Sequence, residues 1–280
     1  MKRLKDLPGG WLLLIALLAY GVVTFLLGWA LVPRTNTESW LRELPHLAAI
    51  LLVVLAGSRN RISLPAATVL ILLGLVVPVL RVKADNTSLA TYLPYPVLDA
   101  ALVAGCIGGG QLVARAIHSR NLLVPIGVVA GLIDPFGVYL GFTGQTIHYR
   151  PEAVAAASTS IPTVASMQVP FISVGPGDIL FITIFLVCLY KFGLNVRGAV
   201  IWLFVAIGSV FGLLLLTPLG KYAFPGLPFI VAASLLPSAK AFSFSKEEKH
   251  AMLVGGFILL PLLIALVLFS RQIGSLLHWR

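Results

Sequence analysis

Two aspartates stand where acids are costly. Asp178 opens a long apolar run directly after Gly175-Pro176-Gly177, and Asp134 lies inside another apolar run, 127–142. A carboxylate at membrane depth is expensive and is kept mostly where it has a task. Two such groups have a specific chemistry. Held about 3–5 Å apart in a low-dielectric site they cannot both ionise, so they share one proton. The ionised member takes a proton from a water, which attacks a carbonyl carbon. The protonated member donates to the carbonyl oxygen and later to the leaving amine. The titration belongs to the pair, so neither role is assigned to one residue.

The elements that must position these acids are apolar helices. The chain has 280 residues, of which 59% are hydrophobic and 11% charged. Its mean hydropathy is +0.99. That exceeds what a water-soluble domain needs to fill a core. Apolar runs recur at 11–33, 41–57, 63–80, 93–117, 121–142, 177–192, 198–217, 222–239 and 251–270. Most approach the roughly 20 residues that a spanning helix requires. Their apolarity is continuous rather than alternating, which predicts helices and not a barrel. The first run is longer than a signal-peptide core and lacks a small-residue cleavage pattern. The expected fold is all-α: a polytopic membrane helix bundle of about nine transmembrane helices, making one integral membrane domain over 1–280. Only the connection 143–176 has room for other structure.

The net charge of +10 does not indicate nucleic-acid binding, because the basic residues are spread through the connections without interleaved aromatics. They serve topology instead. With the N-terminus in the cytoplasm, twelve Lys and Arg fall inside (Lys2, Arg3, Lys5, Arg59, Arg61, Arg115, Arg120, Lys191, Arg197, Lys240, Lys246, Lys249) and eight outside. Cys106 and Cys188 fall within apolar runs and read as small apolar filler. The five histidines are dispersed, so neither a metal site nor a cofactor is expected. Gly105 with Gly108-Gly109-Gly110-Gln111 reads as a surface for close helix packing. Asp99 reads as an interfacial or helix-pairing acid, and Tyr139 as an interface aromatic.

The residues around the two acids narrow the reading. Pro176 has no N–H, so it can begin a helix but not continue one, and Asp178 is thereby placed at a helix N-terminus. Gly175 and Gly177 permit close backbone approach. Downstream, Pro225-Gly226-Leu227-Pro228 interrupts the start of the eighth run, since two prolines and a glycine in four residues disturb any helix. Broken backbone at membrane depth is tolerated only against protein or a water-filled cavity.

These elements, in this order, resemble the presenilin and signal peptide peptidase family of intramembrane aspartyl proteases. Gly175-Pro176-Gly177-Asp178 matches Gly-x-Gly-Asp. Pro225-Gly226-Leu227 matches the Pro-Ala-Leu element with Gly for Ala, and Asp134 matches the first aspartate, with Ile133 where the family usually carries tyrosine. The resemblance covers roughly 121–240. It implies a presenilin-like fold with N-terminal helices over 1–120, a catalytic core over 121–240 and an extra C-terminal helix over 241–280. Asp134 and Asp178 would be the catalytic pair. Gly175, Pro176, Gly177, Pro225, Gly226, Leu227 and Pro228 would bind substrate, with free backbone at the proline break pairing with an unwound substrate strand. The partners implied are transmembrane peptides or proteins and the lipid bilayer, with no nucleic acid. The expected location is a prokaryotic cell membrane, N-terminus cytoplasmic, with the pair in the outer half of the bilayer. That orientation favours substrates whose N-termini face the cytoplasm, such as signal-peptide remnants. The segment 143–176, with its Ala-Ser-Thr-rich stretch 153–166, suits a gate. Prepilin peptidases share Gly-x-Gly-Asp but not the proline element. Two alternatives stay open: an ion- or proton-coupled transporter, although no internal repeat is visible, and a non-catalytic membrane protein on the same fold.

Overall fold

The computed structural model describes residues 9–30, 40–59, 61–84, 95–139, 167–168, 173–216 and 225–277, some of them near helix ends by backbone alone. Among these there are nine α-helices: α1 (Gly9–Ala30), α2 (Trp40–Arg59), α3 (Leu64–Ala84), α4 (Tyr95–Ala116), α5 (Leu123–Tyr139), α6 (Pro176–Lys191), α7 (Val196–Leu216), α8 (Leu227–Leu235) and α9 (Lys246–Leu277). Each falls on one of the nine apolar runs, and the fold is all-α. Short 3-10 turns at Arg120–Leu122 and Leu236–Ala241 precede α5 and follow α8. A two-residue antiparallel pair, β1 (Met167–Gln168) and β2 (Ser173–Val174), stands just before α6, with Met167 opposite Val174. Among the described residues no helix is long and apolar enough to cross a membrane.

The chain divides into two compact units, Met1–His118 with Pro162–Val196, and Ser119–Ile161 with Arg197–Arg280. In the first unit α6 is the core. Ile179 and every residue from Ile182 to Leu189 are buried, as expected of a helix that is apolar all round. Its C-terminus closes in a Schellman motif. Leu194 N–H donates to the Leu189 carbonyl (2.9 Å) and Gly193 N–H to that of Tyr190 (3.4 Å). Gly193 supplies the positive φ of 64° that this turn demands. Lys191 Nζ donates to the carbonyls of Ala114, Arg115 and Ile117, tying the end of α6 to the end of α4.

Glycines on α4 let two neighbours approach to backbone distance. A Cβ on Gly105 would lie 2.8 Å from the Gly74 Cα of α3, and one on Gly108 would lie 2.7 Å from the Ala67 carbonyl oxygen. A Cβ on Gly110 would meet the Thr183 Cβ of α6 at 2.6 Å. The paired positions give the helix directions. Residues 106, 110 and 114 of α4 meet 176, 183 and 191 of α6 in ascending order, so these two run parallel. Gln111 Nε2 donates to the Gly57 carbonyl (2.8 Å) near the end of α2 and Arg115 to that of Ile62 just past it, so α2, which also packs along α6, ends where α4 ends and runs the same way. Helix α3 runs oppositely, with Gly74 against Gly105 and Ala67 against Gly108.

In the second unit α5 packs on α8, and α9 touches α5. A capping box starts α9: Ser245 N–H donates to Glu248 Oε2 (2.9 Å), and Glu248 N–H to Ser245 Oγ (3.1 Å). Glu247 beside it is held below the usual carboxylate range, first by the Ser245 side chain and then by its own amide. Asn121 Nδ2 donates to the Ser243 carbonyl (2.6 Å) and to both Glu248 oxygens (3.2 Å), anchoring the start of α5 to the start of α9.

The packing makes a direct prediction. Gly105→Leu forces α3 and α4 apart and destabilises the first unit by about 1–3 kcal/mol, as overpacking does. Thermal unfolding in detergent reads this as a lowered midpoint. Gly208→Ala on α7, where nothing lies within 4 Å of the new Cβ, leaves the midpoint unchanged or raises it.

Candidate active site

The Gly-Pro-Gly-Asp segment belongs to the first unit. Gly175 is the N-cap of α6 in an extended conformation (φ −64°, ψ 139°), and Pro176 takes the first helical position. That is where a missing N–H does no harm. Asp178 follows in the first turn, half-buried, with its N–H donating to the Gly175 carbonyl (3.0 Å). Its carboxylate folds back over the cap, Oδ2 lying 3.4 Å from where a Cβ of residue 175 would stand. An acid in the first turn sits at the positive end of the helix dipole. Strand β2 ends at Val174, one residue before the cap, so extended backbone leads straight into the acid-bearing turn. From α4, Cys106 Sγ donates to the Pro176 carbonyl (3.2 Å).

Asp134 belongs to the second unit, so each acid is described against its own neighbours. It sits in α5 and is half-buried, with Pro135 next to it inside the helix. Pro135 cannot donate to the Gly131 carbonyl, which opens the helix backbone beside the acid. Gly131, one turn before Asp134, lies against α8. A Cβ there would be 3.6 Å from Pro228 Cα. Asp134 Oδ2 accepts the Leu227 N–H at 2.9 Å, and the Gly226 amide bonds the same carboxyl. Leu227 is the first residue of α8, so Asp134 satisfies one of the amides that a helix N-terminus leaves without an internal partner.

The fold thus brings Asp134 together with Gly226, Leu227 and Pro228, and sets Gly175, Pro176, Gly177 and Asp178 in one turn. Pro225 is buried just before α8. The proline break does not leave its backbone open as the strand-addition reading expects. The Leu227 amide is held by Asp134, and the Gly226 carbonyl accepts the Phe229 and Ile230 amides, both at 3.1 Å. The reason is local: Pro228 lies in the first turn of α8, so the helix starts at Leu227 and Gly226 becomes its N-cap.

Asp99 is 7% exposed on α4, two turns before Cys106 on the same face. The Tyr139 side chain lies outside the described residues, as does nearly all of the gate expected over 143–176, stretch 153–166 included. Sequence reasoning missed Cys106, whose thiol has a carbonyl partner rather than serving as filler. It also missed Gly131, whose closeness to α8 only the fold supplies. No family model matches the chain, and no curated protein or solved structure matches it either.

The bond between Asp134 and α8 has a measurable consequence. Asp134→Ala strips the Leu227 amide of its acceptor, and an unpaired buried donor costs about 1–3 kcal/mol. Asp134→Asn keeps an oxygen at that place. Hydrogen exchange at the Leu227 amide is therefore expected to accelerate strongly in the alanine variant and little in the asparagine variant.

Proposed function

We propose that the chain is an intramembrane aspartyl endopeptidase that cleaves transmembrane segments, with Asp134 and Asp178 as the catalytic pair. The observation that carries this reading is the bond from Leu227 N–H to Asp134. It joins the first acid to the Pro-Gly-Leu-Pro element, two features 93 residues apart in sequence that the resemblance requires in one site. The placement of Asp178 in the first turn of α6, reached through an extended strand, supports the second half. An unwound substrate pairs with extended backbone there, beside β2, while the proline element holds Asp134. One carboxylate then activates water and the other protonates the scissile carbonyl.

The membrane half of the proposal draws on how α3 packs. It buries Ala67 and Gly74 while exposing Leu64, Val69, Leu72, Leu73, Leu75 and Val76. Small residues inward with large apolar residues outward suit lipid, where backbones approach closely and no water penalises the outer face. Helix α9 exposes large apolar residues as well, Phe257 by 79% and Ile258 by 65%, although its Gly255 and Gly256 are exposed too. The alternating directions of α2, α3 and α4 fit successive crossings. Arg59, Arg115 and Lys191 end the parallel helices α2, α4 and α6, while Asp99 and Asp178 lie near the starts of α4 and α6. That polarity fits a cytoplasmic basic end and a pair nearer the outer face. On this reading the protein is a multi-pass protein of a prokaryotic cell membrane, and substrates present cytoplasmic N-termini, as signal-peptide remnants do.

A proton- or ion-coupled transporter is the second reading. Buried Asp99, for which the protease mechanism has no use, favours it.

Cleavage of a single-span reporter by purified protein in lipid separates the two. Asp134→Asn and Asp178→Asn should each abolish cleavage while leaving expression intact, because one acid alone has no proton to share. Turnover near wild type in Asp178→Asn would sink the protease reading.

A further inference from the structure

The protease reading uses Asp178 but leaves open what fixes its place. We infer that α4 sets the position of the Asp178 turn, and that Cys106 is a positioning residue acting through its bond to the Pro176 carbonyl. For its activity readout the inference rests on the protease reading; for its structural readout it does not.

Three sets of contacts from one face of α4 hold α6. At the start, Cys106 Sγ reaches the Pro176 carbonyl at 3.2 Å, two residues before the acid. A carbonyl has two lone pairs. The helix uses one of them four residues on, and the thiol takes the other. In the middle, α4 offers only glycine. A Cβ on Gly109 would lie 3.1 Å from Leu180 Cδ1. One on Gly110 would lie 2.6 Å from Thr183 Cβ, 2.7 Å from its Cγ2 and 3.2 Å from the Leu180 carbonyl oxygen. Thr183 has little room to yield, because its hydroxyl is bound to the Ile179 carbonyl at 2.8 Å. At the far end, Lys191 is tied to the carbonyls of Ala114, Arg115 and Ile117. Residues 106, 109, 110 and 114 recur at helical spacing along α4, and Ile117 follows just past its end. Helix α6 can therefore neither slide along α4 nor lift from it without breaking one of these contacts.

The contacts differ in what they control. Gly110 and Lys191 fix the helix as a body. Of these three sets of contacts, the Cys106 bond is the one that reaches the turn carrying Asp178, so it orients that turn rather than the whole helix. A thiol is a weak donor, and its loss costs little stability. A small change in the angle of the first turn still moves a carboxylate three bonds from the backbone. A misplacement near 1 Å in a catalytic group costs about 10²-fold in rate. Serine at 106 keeps a donor, valine keeps the volume without one, and alanine removes both.

The test uses the full chain in lipid nanodiscs. Infrared titration follows the Asp178 carboxyl band, identified as the band lost in Asp178→Asn. Its midpoint is expected to move by about half a unit or more in Cys106→Val, and to stay at the wild-type value in Cys106→Ser. Cys106→Ala serves in place of valine if that variant does not fold. Alongside it, kcat on a single-span reporter is expected to fall about tenfold in Cys106→Val with KM little changed, and to be rescued by Cys106→Ser. Equal midpoints in wild type, Cys106→Val and Cys106→Ala would overturn the inference. So would a shift in Cys106→Ser as large as in Cys106→Val, since the donor would then not be what matters. Absence of cleavage by wild type would sink the protease reading and leave the midpoints to decide the positioning role.

Discussion

Backbone contact through glycine is the constraint on which the first unit depends. Helix α4 carries glycine at 105, 108, 109 and 110. Two of these face α3 and two face α6. Toward α3 the contact at Gly74 and Gly105 is backbone to backbone, and toward α6 the glycines leave just the space that the Leu180 and Thr183 side chains fill. On the membrane reading proposed above, this contact is the source of specificity, because burying apolar side chains against one another has no advantage over leaving them in acyl chains. The arrangement makes α6, buried nearly all round, a rigid mount for the turn at its N-terminus.

Both acids exploit the same device in different ways. Asp178 sits within the first turn of its own helix, and Asp134 reaches across to the first amide of another. A helix N-terminus offers unpaired N–H groups and a positive dipole end, which is what a carboxylate needs where water is scarce. Proline makes both sites possible. Pro176 and Pro228 each open a helix at a defined residue, and Pro135 loosens α5 where Asp134 projects. The proline and glycine residues around the acids thus decide which amides are available and where they point.

Much of this was legible from residue types. The nine apolar runs gave the nine helices because continuous apolarity needs no tertiary knowledge to read. Pro176 placed Asp178 in a first turn because its missing N–H leaves few other positions. The glycine cluster on α4 was recognisable as close packing, though not its partners, since Gly74 and Thr183 carry no mark of their own. The Asp134 contact was hidden for a related reason: a backbone amide has no sequence signature. The Cys106 contact was hidden because thiol and filler look alike until a neighbour is known. The proline break was misread as open backbone because its carbonyl and amide partners lie in α8 itself and in α5, and only the fold joins those elements.

The central claim is that Asp134 and Asp178 work as one pair, and proximity tests it most directly. Asp134→Cys and Asp178→Cys are combined in a chain whose Cys106 is replaced by serine, which keeps the donor to Pro176, and whose Cys188 is replaced by alanine. The protein is treated in lipid with an oxidant or a short bifunctional thiol reagent. The account predicts an intramolecular cross-link in the double variant that neither single variant forms. No cross-link with any short reagent, in a protein that still folds and labels at both cysteines, would contradict it.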